Sequence, residues 1–139
     1  MRDILSAHPD KRVHTWTDPS RIGSDALRVG LGTLAERGLT FEAWCYSNQL
    51  GELARLADDV PMTTMVLDHM GTPVGLAGPH GGQGETEADR ARILDDWHAG
   101  LVAVAEHRNV HCKLSGLLMP ICGFGSVSYT HLTLPTIAV

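Results

Sequence analysis

The sequence lacks the basic excess that a polyanion would select. Its 11 lysines and arginines face 16 acids, for a formal charge of −5, and the two signs are interspersed. Nucleic acid and anionic membrane are therefore not expected partners. No apolar run approaches the ~20 residues that span a bilayer. The opening MRDILSAHPDKR also lacks the apolar stretch of a secretory signal, so the chain reads as cytoplasmic. Its three cysteines, Cys45, Cys112 and Cys122, form no CxxC pair, which argues against a disulfide framework or a zinc knuckle and for reduced, buried thiols. No HExxH or HxH pair occurs, so no metal site can be assembled from sequence-adjacent ligands. There is no GxSxG elbow for a serine hydrolase, and the glycine-rich stretch has no GK[ST] ending to cradle phosphate.

What is present suits one α/β domain: 139 residues, 43% of them hydrophobic, are enough for a real core. After a polar opening, SDALRVGLGTLAERG brings Leu27, Leu31 and Leu34 round at helical spacing, with Ser24 or Asp25 as cap and Gly38 as stop. LTFEAWCYS reads as a strand, with Glu42, Trp44 and Tyr46 on one face and Phe41, Ala43 and Cys45 on the other. NQLGELARLADDV is a helix that buries Leu50, Leu53, Ala54 and Ala57 and stops at Pro61, and TTMVLDH is a second strand. The loop GTPVGLAGPHGGQG is longer than a typical βα connection, either functional or merely mobile. Leu94, Trp97, Leu101 and Val104 predict a long amphipathic helix from about Glu87 to His107, and NVHCKLSG a third strand. Helices alternating with strands imply a parallel sheet. Three strands cannot close a (β/α)8 barrel, which needs about 250 residues, so the chain is a small open sheet or part of something larger.

The candidate chemistry gathers at strand ends. In VLDHMGTP, His69 stands where parallel α/β proteins build their sites, at a strand's carboxyl end before Gly71 and Pro73. Alternation puts Met65, Leu67 and His69 on one face with Asp68 opposite, and His111, Lys113 and Ser115 on one face of the third strand. If these faces line one interior, they form a polar cluster. A neutral imidazole there suits metal ligation or proton transfer, and an ammonium suits a carbonyl or carboxylate. Spacing alone favours a structural or surface histidine over a working one. His8, His14 and His80 read as solvated loop residues, His98 and His107 as helix-rim and helix-end residues, and Ser115 as a strand-end turn serine.

Taken in order, MRDILSAHPDKRVH, LTFEAWCYSNQLGELARLADDVPMTTMVLDHMGTPVG, WHAGLVAVAEHRNVHCKLSGL and MPICGFG resemble the middle of the amidohydrolase-2 family, metal-dependent hydrolases with a TIM-barrel fold that include sugar-acid lactonases. The resemblance covers residues 1–125 and implies a partial (β/α)8 TIM barrel running from about the end of strand 3 through strand 6. It implies that His69, in the fifth-strand DHxG motif, is a metal ligand or proton-transfer residue, and that Arg2 and Lys113 contact substrate. The implied cofactor is a divalent metal, zinc or manganese, and the implied reaction is metal-assisted hydrolysis of a lactone or related carbonyl compound. The family's first-strand HxH pair and late-strand aspartate are not in this sequence, so little activity is expected of the chain alone. A non-catalytic partial domain that self-associates through exposed barrel edges, and a family decarboxylase or isomerase, remain open alternatives. Residues 126–139, SVSYTHLTLPTIAV, match nothing in the family and resemble an appended, non-native translation.

Overall fold

The computed structural model describes residues 1–124; the stretch 126–139 singled out above lies outside the described residues. Four strands, β1 (Arg2–Ile4), β2 (Phe41–Trp44), β3 (Met65–Leu67) and β4 (Val110–Cys112), form one parallel sheet in chain order. The helices between them are α1 (Asp25–Glu36), α2 (Leu50–Asp59) and α3 (Glu87–Ala105). The architecture is a partial (β/α)8 barrel, as expected. The pattern of residues alone found the last three strands. It read the opening as polar irregular chain because β1 is only three residues long, RDI, with no alternation to betray it. The family resemblance had placed a strand end there.

The helix starts follow their chemistry. The Ser24 side chain accepts from Leu27 N–H at the start of α1, and Thr86 and Asp89 form a reciprocal capping box on α3. Past α1, Gly38 takes φ 64, the left-handed conformation that ends a helix without steric cost.

The core lies on the helix side of the sheet. Phe41 and Ala43 of β2 and Met65 and Leu67 of β3 pack there with Leu31 of α1 and Leu50, Leu53, Ala54, Leu56 and Ala57 of α2. In α3 the core-facing stripe follows the expectation at Trp97, Leu101 and Val104 and departs from it at Leu94. Ile93 and Val104 are buried, with Trp97 and Leu101 packed beside them, whereas Leu94 is exposed. Gly100 lets α3 approach α2 closely, since a Cβ there would meet the Leu50 side chain at 2.8 Å.

The long loop is built rather than slack. Gly75 N–H donates to the Ile121 carbonyl and Ala77 N–H to that of Cys122, joining the loop to the segment after β4. At Gly81 (φ 53) a Cβ would lie 2.8 Å from the Arg12 carbonyl oxygen, so the loop closes against the first loop only through glycine. Arg12 is itself held by Asp10, whose carboxyl it keeps well below the usual range, and Gln83 Nε2 donates to Asp10 Oδ2 at 3.0 Å. Two cysteines follow expectation: burial pushes the Cys45 thiol up to about 12 and the Cys122 thiol up to about 11. Cys112 departs from it and is exposed, because β4 has no further strand beside it among the described residues.

Candidate active site

Register decides which side chains meet. Arg2, Glu42, Val66 and His111 are aligned across the sheet, as are Asp3, Ala43, Leu67 and Cys112. Side chains aligned in a parallel sheet share a face. Met65 and Leu67 therefore belong to the helix-side core, and the opposite face carries Arg2, Glu42, Trp44 and His111. The sequence reading had grouped Met65 and Leu67 with the polar residues of the third strand, and this is corrected. By the same alternation Asp68, rather than His69, continues the face of Val66 and reaches Lys113.

On this open face four charges close a ring. Arg2 Nη2 lies 2.5 Å from Glu42 Oε2, and Arg2 Nε lies 3.1 Å from Asp68 Oδ2. Lys113 Nζ lies 2.9 Å from Asp68 Oδ1 and 3.3 Å from Glu42 Oε2. Each cation thus touches both carboxylates, and the ring takes one residue from each strand or the segment just past it. Arg2, then Lys113, holds the Glu42 carboxyl below its ordinary range, while Asp68 and then Glu42 hold the Lys113 ammonium above its own. The Asp68 side chain is 1% exposed, and neither cation approaches it along a hydrogen-bond direction. Among the described residues, both its oxygens lack a directed donor. The structure thus brings the predicted Arg2 and Lys113 together, through two acids that the sequence reading had not singled out.

His69 reaches the same end of the sheet by a different route. β3 ends at Leu67, and His69 (φ 54), Met70 (φ 52), Gly71 (φ 73) and Thr72 (φ 35) all take left-handed conformations. Non-glycine residues there cost about 1–2 kcal/mol each, so the turn persists only because its surroundings fix it. Those anchors are visible. Trp97 Nε1 donates to the Met70 carbonyl at 2.7 Å, and Trp44 Nε1 donates to Thr72 Oγ1 at 2.9 Å. His69 Nδ1 lies 3.0 Å from Ser115 Oγ, and Thr72 N–H donates to the His69 carbonyl. A Cβ on Gly116 would lie 2.5 Å from His69 Nδ1, so the imidazole rests against bare backbone. Ser115, read as a turn serine, is the residue that orients the histidine. The strand had been expected to run to His69; it stops earlier because a left-handed turn cannot continue a ladder.

Beside this turn, Met70, Ser115 and Met119 line an apolar cavity of about 600 Å³, together with Leu114 and Leu118, which are exposed. His14, read as solvated, is exposed but packs edge-on against Trp16.

The family model for amidohydrolases matches residues 8–130. The chain belongs to the amidohydrolase family. An uncharacterised protein of Sinorhizobium fredii, y4mH, is 28% identical over 130 residues, 94% of this chain and 37% of that protein. L-fucono-1,5-lactonase of Burkholderia ambifaria is 31% identical over 100 residues, 72% of this chain and 30% of the lactonase. Among solved structures, an amidohydrolase of Burkholderia multivorans with bound zinc superposes at a TM-score of 0.62 with 25% identity, covering 84% of this chain and 34% of that one. The amidohydrolase chain described here therefore spans about a third of the length of these relatives.

A divalent metal occurs in that solved relative, but the described residues do not fit one by themselves. No group of three or more His, Cys, Asp or Glu donors converges among them. Asp68, next to His69, is turned onto two cations. His69 stands as a single donor among the described residues.

Proposed function

We propose that this chain supplies one side of an amidohydrolase active site that hydrolyses a lactone or related carbonyl compound, with His69 as its acid–base group. The observation that carries the reading is the left-handed turn at 69–72, anchored by Trp44, Trp97 and Ser115 so that one imidazole is held against Gly116. Strain held at a strand's carboxyl end by several converging side chains is the signature of a positioned functional group. The 31% identity to a lactonase supports the substrate class.

Hydrolysis requires a proton to leave the attacking water and a proton to reach the leaving oxygen. A neutral imidazole can take the first and return the second. Ser115 at Nδ1 fixes the ring plane, so Nε2 is the nitrogen that exchanges the proton. Arg2 and Lys113 keep part of their cationic surface exposed, at 56% and 36%, and there they meet the oxygens of the substrate. Metal ligands, zinc or manganese being the expected ion, would come from segments beyond those described. Catalysis depends on groups held together on one scaffold, so the chain alone turns over little or no lactone.

A hybrid enzyme tests this. Residues 1–124 replace the matching segment of the Burkholderia ambifaria lactonase, and hydrolysis of L-fucono-1,5-lactone is followed. The hybrid is expected to be active and to lose about a hundredfold or more in kcat on His69→Ala. An inactive folded hybrid, or one indifferent to His69→Ala, contradicts the reading.

For the isolated chain, a second property is proposed. β1 and β4 each pair on one side only among the described residues, and unpaired edges template association. Size-exclusion chromatography is expected to show self-association; a monomer at all concentrations contradicts it.

A further inference from the structure

Four rings run in series across the carboxyl end of the sheet. His14 packs edge-on to Trp16 with centroids 4.5 Å apart, Trp16 lies 6.0 Å from Trp44, and Trp44 lies 5.9 Å from His69. We propose that Trp16 and Trp44 are a stacking wall for a six-membered sugar-type ring, placing the ring's carbonyl beside His69. The proposal rests on the hydrolase reading of the site and adds to it the residues that select the substrate's ring.

Three observations carry it. First, Trp16 is 53% exposed, a large apolar surface left to water at the end of the sheet where the site lies. Second, that exposure does not come from a slack loop. Trp16 N–H donates to the Ser6 carbonyl at 2.9 Å, and the buried Tyr46 hydroxyl donates to the His14 carbonyl at 2.8 Å. The ring is therefore held out on a backbone tied at two points, and a binding group that is already ordered loses little entropy when it is used. Third, the inner tryptophan is locked as well, since its indole N–H is committed to Thr72.

The surroundings choose the ligand. A pyranose or δ-lactone ring has one face of C–H groups and a rim of hydroxyls and carbonyl. The indole faces suit the first. The rim needs polar partners, and Trp44 stands two residues beyond Glu42 on the same face, so the charge ring of Arg2, Glu42, Asp68 and Lys113 lies about 7 Å below the wall. An all-apolar ligand would strip water from the half-exposed Arg2 and Lys113 side chains without replacing its hydrogen bonds.

Saturation-transfer NMR on this chain with methyl α-L-fucopyranoside, a ring that cannot be hydrolysed as a lactone, tests the wall. Irradiation of indole resonances is expected to saturate the ring C–H protons of the probe. Trp16→Ala should weaken binding about tenfold, and Trp16→Phe, which keeps an aromatic face, should weaken it less. Leu94→Ala, on the outer side of α3, should bind as the parent chain does. No transfer in the parent chain, or equal affinity in parent and Trp16→Ala, overturns the proposal. The hybrid lactonase separates this failure from failure of the reaction assignment. There, a Trp16→Ala variant with unchanged KM and retained kcat sinks the wall alone, whereas absent turnover with intact probe binding sinks the hydrolase reading alone.

Discussion

The two faces of the sheet are made from alternate residues of the same short strands and obey opposite rules. On the helix side, Phe41, Ala43, Met65 and Leu67 are at most 2% exposed and belong to the apolar core cluster. On the other side, Glu42, Trp44 and Asp68 are joined to Arg2, Lys113 and Thr72 by ion pairs and a hydrogen bond. The first face holds the chain together, and the second holds groups in position. The division is as fine as a single residue: Leu67 is sunk in the apolar core, and the next residue, Asp68, lies between the two cations of the opposite face.

Four substitutions or conditions should break the contrast in decreasing order. Leu67→Ala empties a site in the dry core and should cost about 2–5 kcal/mol, read as a lowered midpoint in urea unfolding at constant slope. Asp68→Ala removes the buried carboxylate from between two cations. Breaking a buried pair costs about 3–5 kcal/mol. Arg2 and Lys113 are partly exposed and can rehydrate, so about 1–2 kcal/mol is expected by the same measurement, and less of it in high salt. Trp44→Phe keeps the ring but forfeits the bond to Thr72, for about 1 kcal/mol, with faster amide exchange confined to residues 69–72.

The smallest effect is that of pH. The Glu42 carboxyl is held down by Arg2 and Lys113, so its contribution is present above the ordinary glutamate range and is lost as pH falls through its lowered folded value. The Lys113 ammonium is held up by Asp68, so its contribution is complete below the ordinary lysine value and is lost as pH rises through its raised folded value. The ring's contribution should therefore be flat between about pH 5 and 10 and fall on both sides, whereas the buried Cys45 and Cys122 thiols, held protonated in the fold, add a separate loss of stability from about pH 8.5 upward. Glu42→Gln should make the acid limb shallower, the rest of it coming from other held-down carboxyls such as Asp10; an unchanged acid limb in that variant would separate the ring from the fold's pH response.

How much of this was legible depended on range. The helices were readable because Ser24, Gly38 and the leucine spacings act within a few residues. β1 was hidden by its brevity, and the close approach at Gly100 by its dependence on Leu50, which arrives from another helix. At the site, Arg2, His69 and Lys113 could be named from ordered motifs, but their partners could not. Asp68 does lie opposite Met65 and Leu67, as alternation predicts, but His69 was grouped with those two because alternation was carried past the point where the strand ends. A turn of left-handed residues at a strand's end is fixed by Trp44, Trp97 and Ser115, which are distant in the sequence. Trp16 carried no local signal, since its meaning lies in rings contributed by other segments.

The separation of the two faces is tested most directly by measuring unfolding and turnover together for His69→Ala and Leu67→Ala in the hybrid lactonase. His69→Ala is expected to keep the parent unfolding midpoint and lose kcat, while Leu67→Ala lowers the midpoint and keeps kcat at temperatures where it remains folded. Turnover that survives His69→Ala, or falls in both variants only as the folded fraction falls, would contradict it.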